Sequence, residues 1–559
     1  MLPVAAASQT APARAGDDLL GLWGANPHIG PAIGGDLLLE RRGATWSVRV
    51  GGVEAEATAQ GDSVVLALPG QQGTLMLWTA RAVPEAFWLQ PAGINQPYAT
   101  PVRLLPAGGN VWRGTATPVP ERFPLYLMIA READGTLRGT FRNPEVNWPG
   151  RTPRYIVRRS ENTVEFVHPG TGAVQYTQPY DSAARRITFD FGVPIVLEPR
   201  TVEQAPGFVT RAPMLPPYRY RVPATLNDGW RTSAAARVGM NEAALQEVVR
   251  GLVAVDPLSE SEPRVHSLVV ARRGALVLDE YFRGYGASDL HDLRSASKTM
   301  TSILAGAAMQ QGARLDGRAF GAASAVGRDG MTLAHLLSHS TGLACNDDDE
   351  ASPGNEDTMQ SQRAQPDWYA FFMALPALTA PGATYSYCSA GVNMAGGMVA
   401  RATARWLLRL FEQHFAGPMQ LGAYGMNLMP TGQAYAGGGM RMTSRDLLKF
   451  GQLYLNEGVW RGVPLVPRAW VRASTAEVIA RSDGSTDGLG WHRHVLTVGS
   501  RRLSTYEASG NGGQFLVVVP QLQLAVVVTA GNYGQYNVWR SIREQLLPAV
   551  MATVHPPAP

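Results

Sequence analysis

The stretch RAPMLPPYRYRVP, Arg211 to Pro223, divides the chain into two textures that no one repeating architecture can hold. Proline fixes φ and lacks an amide N–H, so a run this rich in it stops both a helix and an interior strand. Before it, residues 20–205 run as short alternating segments such as TWSVRVGGVEAEATAQ and VEFVHP, broken by Gly, Pro and Asn turns. After it, NEAALQEVVRGLV shows helical periodicity behind Asn241, a good N-cap. SLVVARRGALVLDEYF sets two apolar runs around Arg-Gly, a hairpin, and SASKTMTSILAGAAMQQG is helical up to a stop at Gly312. QFLVVVPQLQLAVVVTA makes another hairpin, and a last helix starts near Trp539. The expected class is α+β: an N-terminal all-β barrel or sandwich, then an antiparallel sheet flanked by helices.

The expected boundaries are a leader or signal remnant at 1–18, a β-rich accessory domain at 19–210, a linker at 211–231 and a second domain at 232–559. Within the β region LWGANPHIGPAIGGDLLLERRGATWSV and VWRGTATPVPERFPLYLMIAREADGTLRG follow one order: Trp, Gly, a turn, apolar residues, a charged turn, a strand. Two related meanders closing into one barrel or sandwich account for that echo.

Bulk properties narrow the partners. A net charge of +4 over 559 residues, with no clustered Lys/Arg run interleaved with aromatics, argues against nucleic acid. No stretch of 18 apolar residues provides a transmembrane helix. The first residues end in small side chains with an A-x-A look but lack a basic n-region and a full apolar core. Export to the periplasm or beyond is the expectation, with the cytoplasm as the alternative. Cys345 and Cys388 have no metal-site spacing; they are two buried thiols or, after export, one disulfide. His339, His492 and His494 are too scattered for zinc and read as structural.

Of 49 basic residues only Lys298 and Lys449 are lysines. Lys298 stands three residues after Ser295, in DLRSASKTMTS, where a loop enters a helix. Positions i and i+3 share a helix face, so the ammonium can reach the hydroxyl, and the helix N-terminus favours a developing negative charge. A buried lysine can give up its proton, whereas arginine cannot. A serine nucleophile with a lysine base explains the exception; a solvated helix lysine is the plainer alternative.

Downstream come PGATYSYCSAGVNMAGG and YEASGNGGQFLVVVP, a Gly-rich approach to a strand. With these the region Val238 to Val550 resembles the serine β-lactamase and penicillin-binding-protein superfamily, most closely its class C type with the esterase and 6-aminohexanoate-oligomer hydrolase relatives. Ser295 and Lys298 match Ser-x-x-Lys; Tyr387, Cys388 and Ser389 match Tyr-x-Asn/Ser; LAHLLSHSTGL, GGGMRMTSRDLLKFGQLYLNEGVW and DGLGWH are similar to family phrases. The resemblance implies a β-lactamase-like domain with a helical subdomain and no cofactor or metal. Ser295 would form an acyl-enzyme, Lys298 and Tyr387 would share the proton work, and Ser389 would hold Lys298 by a hydrogen bond. The backbone N–H groups of Ser295 and Asn511 would form the oxyanion hole, with Ser509 and Gly510 as supporting or substrate-binding residues.

The third motif departs from the family. Ala508-Ser509-Gly510 stands where lactamases carry Lys-Thr-Gly, so the cation that helps bind a substrate carboxylate is missing. That argues against an efficient β-lactamase and fits small neutral amides or esters, or substrates whose charge lies elsewhere; a β-lactamase or D-amino-acid peptidase is the alternative. Arg441 or Arg445 could replace the charge, although TSRDLLKF reads better as an ordinary helix capped by Thr443 with Asp446. CNDDDEASPGNEDT holds four aspartates and two glutamates. It is expected to be a solvated loop, with a bound cation or cationic substrate group as the alternative. A Cys345–Cys388 disulfide would pin this loop against the Tyr-x-Ser segment. The expected activity is a metal-independent serine hydrolase acting on a small molecule; the competing class is a binding or sensor protein that deacylates poorly.

Overall fold

The computed structural model describes residues 16–29, 31, 33–91, 97–119, 121–145, 154–211, 217–315, 330–362 and 364–555. Most of the expected leader and part of the linker lie outside these residues. The described residues form two compact units. One comprises those within Met1–His28, Arg122–Met214 and Val255–Ser261; the other those within Ile29–Glu121, Leu215–Ala254 and Glu262–Pro559.

The first unit is a closed antiparallel barrel of eight strands: Gly21–Ala25, Leu125–Arg131, Leu137–Arg142, Tyr155–Arg159, Thr163–Val167, Val174–Asp181, Arg186–Asp190 and Pro194–Pro199. Closure comes where Trp23 pairs with Pro199 and Gly24 with Glu198. Phe141, Tyr155, Phe166 and Phe189 are buried and meet edge-on or tilted at 5.0–6.3 Å. The barrel is thus filled by aromatic side chains.

The second unit holds the rest of the N-terminal β region, so the two meanders pair with each other but not in one barrel: Gly21–Ala25 meets Leu125–Arg131 in the first unit, and Gly35–Arg42 meets Val111–Ala116 in the second. Leu105–Gly108, Val111–Ala116, Gly35–Arg42, Thr45–Val50 and Val53–Thr58 make a five-stranded sheet. Ser63–Ala67, Thr74–Trp78, Glu85–Gln90 and Tyr98–Val102 belong to a seven-stranded one. That second sheet continues through Tyr424–Asn427 and Met440–Met442 to His291–Asp292, with Ala99 opposite Met426 and Tyr98 opposite Asn427. The single accessory domain expected at 19–210 is therefore divided. Its residues 29–121 share backbone hydrogen bonds and a core with the segment after the prolines, because the edge strand Tyr424–Asn427 needs a partner. The expected linker also contributes structure: Arg231–Thr232 pairs parallel to Ala275–Leu276, and Trp230 is buried edge-on against Trp460.

A nine-stranded sheet organises this unit, in the order Arg231–Thr232, Ala275–Tyr281, Val265–Arg272, Leu524–Ala530, Gln514–Val519, Arg501–Gly510, His492–Val498, Thr486–Asp487 and Ile479–Ala480. Strand pleating sends Phe515, Val517 and Val526 into one buried cluster with Leu245, Val249, Ile542 and Val550. Leu516, Val518 and Val527 enter another with Met300, Leu447 and Leu448 from Ser297–Gln310 and Ser444–Leu455. Burial on both faces explains the unbroken apolar runs of QFLVVV and LAVVVTA. Arg273 and Gly274 take positive φ in the first hairpin, Asn241 caps Glu242–Val253 through Ala244 N, and Gly312 terminates the Ser297–Gln310 helix at φ +86°. The α+β expectation holds.

Candidate active site

Ser295 lies in a single helical turn, Arg294–Ala296, that runs straight into the Ser297–Gln310 helix. Arg294 adopts φ +49°, a left-handed conformation that costs a non-glycine residue energy. Asp292 holds it there, accepting the Arg294 amide at 2.9 Å and facing its guanidinium at 3.2 Å. The helix then carries Lys298 back over the turn, and its Nζ lies 3.1 Å from Ser295 Oγ. Tyr387 closes the group: Lys298 Nζ is 4.8 Å from the ring centroid, and the phenol interacts electrostatically with both Ser295 and Lys298. The three residues singled out in the sequence are brought together.

The electrostatics differ from a simple lysine base. Burial works to lower the Lys298 ammonium, but Tyr387, Glu356 and Asp347 outweigh it and hold the group above its ordinary pKa. Desolvation raises the Tyr387 phenol, opposed by the ammonium and by its hydrogen bonds to Ser295 and Lys298. At rest the site therefore holds a charged lysine beside a neutral phenol. Both shifts keep protons on the couple, so a proton must leave it before the serine can deliver its own.

The third strand meets the nucleophile turn at Gly510. A Cβ on Gly510 would stand 2.4 Å from Leu293 O and 3.1 Å from Ser295 N, so only a glycine fits. Ser509, Gly510 and Asn511 line the same cleft as Ser295 and Tyr387, a space of ≈ 540 Å³. The Asn511 side chain is tied down, its Oδ1 accepting Gly534 N at 3.0 Å.

Residues 262–538 match the family model described as Beta-lactamase. This chain carries a beta-lactamase-family domain. A curated relative, the 6-aminohexanoate-dimer hydrolase of Paenarthrobacter ureafaciens, is 27% identical over 230 residues, 36% of this chain and 55% of that protein. The chain thus spans about half the length of that relative. Similar solved structures include a penicillin-binding protein homologue from Caulobacter crescentus, 18% identical with a TM-score of 0.44, covering 56% of this chain and 97% of that one. Another is a D-stereospecific amidohydrolase from Streptomyces sp., 19% identical with a TM-score of 0.41, covering 54% and 97%.

Several residues of the beta-lactamase-family domain take places that the sequence did not reveal. Ser389 is buried, but its hydroxyl donates to Asp347 Oδ2 at 2.6 Å and lies 3.1 Å from Glu356 Oε2. Its hydroxyl faces these carboxyls instead of the expected Lys298. The acidic loop is consequently more than a solvated loop: Asp347 and Glu356 turn inward while Asp348 lines the cleft. Burial, then the Glu356 carboxyl, push Asp347 up to about 6, against the Lys298 charge and the Ser389 hydrogen bonds. Cys345 and Cys388 are joined as a disulfide with Cα atoms 5.4 Å apart, and Asp347 N donates to Tyr387 O at 2.8 Å. The loop is stapled to the Tyr-x-Ser segment.

Neither arginine offered as a substitute cation lines the cleft. Arg445 is buried between Asp228 and Asp279, 2.7 Å from each, and Arg441 lies 5.0 Å from the Tyr98 ring centroid. The cations at the cleft are Arg481 and Arg543. Arg481 stands 3.5 Å from Asp487, and Arg543 Nε donates to the buried Glu507 at 2.7 Å. Nothing local in the sequence marks this pair. His339 is buried against the Tyr387 ring at 4.5 Å and is pushed down to about 3, chiefly by burial; Cys388 N donates to its Nδ1 at 3.1 Å, as befits a structural histidine. His492 and His494 line the cleft instead, beside Asp487 and Glu507. Among the described residues no His/Cys/Asp/Glu cluster could hold a metal, and no helix is long and apolar enough to cross a membrane.

Proposed function

We propose that this protein is a serine hydrolase that cleaves a small amide or ester through an acyl-enzyme on Ser295. The observation that carries the reading is the 3.1 Å contact between Lys298 Nζ and Ser295 Oγ, beside Tyr387 and open to the cleft. Ser295 Oγ attacks the substrate carbonyl as its proton passes to the Lys298–Tyr387 couple. The N–H groups of Ser295 and Asn511 receive the oxyanion, the couple returns the proton to the leaving group, and water then releases the acid. Ala508 leaves the cleft without the family's lysine, and the arginines at its rim already face Asp487 and Glu507. Small substrates without a carboxylate at the lactam position fit such a rim better than β-lactams.

We further propose an oxidising location, periplasmic or extracellular, consistent with the Cys345–Cys388 disulfide. The test is intact-mass spectrometry after exposure to a fluorophosphonate. One adduct is expected on the wild type, none on Ser295→Ala, and slow labelling on Lys298→Ala, followed by turnover of p-nitrophenyl esters and aminohexanoate dimers. An unlabelled wild type would refute the activated serine.

A further inference from the structure

Four strands of the seven-stranded sheet carry side chains from distant parts of the chain to the nucleophile turn. Tyr98 stands opposite Asn427, Gly425 opposite Arg441, and Arg441 opposite Asp292. Directly opposed residues of an antiparallel pair send their side chains to one face. Gly425 leaves a gap in that face, where a Cβ would lie 3.5 Å from Tyr98 Cδ1. Across the gap Arg441 Nε donates to the Tyr98 hydroxyl at 3.1 Å, and Arg441 Nη2 lies 3.9 Å from Asp292 Oδ2. Asp292 in turn accepts the Arg294 amide at 2.9 Å and faces its guanidinium at 3.2 Å. Burial alone would raise the Asp292 carboxyl, but Arg294 and Arg441 outweigh burial and hold it below its ordinary pKa. Tyr98, Arg441 and Asp292 are all buried. The row ends at Arg294, whose φ of +49° persists only where its surroundings enforce it. The Met440 backbone holds the same turn from both sides: its O accepts Leu293 N at 2.9 Å, and its N donates to Ser297 Oγ at 3.0 Å.

We infer that Tyr98, acting through Arg441 and Asp292, is a positioning residue that holds the Arg294–Ala296 turn and so aims Ser295 into the cleft. Tyr98 lies outside residues 262–538, the span the family model matches, so the N-terminal sheet supports the nucleophile from beyond the family's own domain. Its hydroxyl is an acceptor for the guanidinium, and no proton of Tyr98 passes to substrate. Removing that hydroxyl takes the acceptor from a buried donor, and the guanidinium must move to recover the loss. Asp292 is the carboxylate it faces, and a shift of Asp292 releases the amide and the guanidinium of Arg294 together. The effect on Ser295 rests on the serine-hydrolase reading above; the effect on the turn does not.

The experiment compares the full-length wild type with Tyr98→Phe, which removes the hydroxyl and keeps the ring, and with Thr100→Val. Thr100 is buried on the same strand, where its hydroxyl accepts Gln90 Nε2 at 2.9 Å and donates to Thr117 O at 3.1 Å. In Tyr98→Phe the maximal rate of fluorophosphonate labelling is expected to fall about tenfold, as for the loss of one hydrogen bond to a charged group. The half-saturating probe concentration should stay unchanged. Thr100→Val should keep the wild-type rate even if its urea midpoint falls further. Hydrogen exchange read by mass spectrometry is independent of activity: amides at 293–297 should exchange faster in Tyr98→Phe and at the wild-type rate in Thr100→Val. A wild-type labelling rate in Tyr98→Phe, an equal loss in Thr100→Val, or unchanged exchange at 293–297 would overturn the inference. If Tyr98→Phe fails to fold, Arg441→Lys replaces it, since a lysine keeps a charge but not the fork that spans Tyr98 and Asp292. The same two losses are then expected, and their absence would overturn the inference equally. An unlabelled wild type would remove the hydrolase reading, and the exchange at 293–297 would then decide by itself whether Tyr98 holds the turn.

Discussion

Gly510 and Ser295 are in backbone contact: a Cβ on the glycine would lie 3.1 Å from the serine amide nitrogen and 2.4 Å from the Leu293 carbonyl. The contact joins the third-motif strand to the nucleophile turn, and no side chain has room there. Gly510→Ala must move backbone, at a cost of about 1–3 kcal/mol. The expected result is a lower denaturant midpoint with fluorophosphonate labelling reduced far more than stability alone would explain. Urea melts beside labelling rates check it.

Lys298→Arg keeps a positive charge near Ser295 but replaces a titratable group with one that stays protonated. Labelling of Ser295 should fall roughly 10²–10⁴-fold, the usual contribution of general base catalysis. The thermal midpoint should drop little if the guanidinium still reaches Tyr387. Stopped-time labelling and a calorimetric scan on the same sample separate the two effects.

A chain beginning at residue 232 should not fold by itself. It would leave Tyr424–Asn427 without the Tyr98–Val102 strand and strip Trp406 of Trp78 and Phe87, whose ring centroids lie 5.8 and 5.3 Å away. Arg409 would also lose Glu85, 2.7 Å from its Nε. Exposed edge strands and aromatic surface favour aggregation. The expected outcome is insoluble material or a non-cooperative melt, where the full chain gives a sharp one.

Asp487 ties stability to acid. Burial alone would raise its pKa, but His492 and Arg481 outweigh burial and bring it from 3.8 down to about 2. A depressed carboxylate stabilises the fold above its unfolded pKa, and the contribution disappears as pH falls toward the folded value. The loss between about pH 4 and 2 should be of order 2 kcal/mol. Asp487→Asn should be less stable at neutral pH and show a flatter decline across that window, as urea midpoints recorded over the acid range would reveal.

The local order of the chain determined much of this protein. Helical spacing put Lys298 over Ser295, the Tyr-x-Ser segment supplied Tyr387, and apolar runs marked the hairpins at the centre of the large sheet. These features depend on neighbours within a few residues, where periodicity and turn chemistry act directly. Tertiary structure decided the rest. Strand pairing drew residues 29–121 into the catalytic unit, because an edge strand takes whichever partner the fold delivers. Burial turned Asp347 and Glu356 from loop acids into groups that govern the charge of Lys298. Arg481 and Arg543 reached one cleft from separate elements of the chain, and Ser389 turned from the lysine to the carboxyls. The reason is common to all four: charge, burial and pairing between residues far apart in sequence depend on distances that only the folded chain sets.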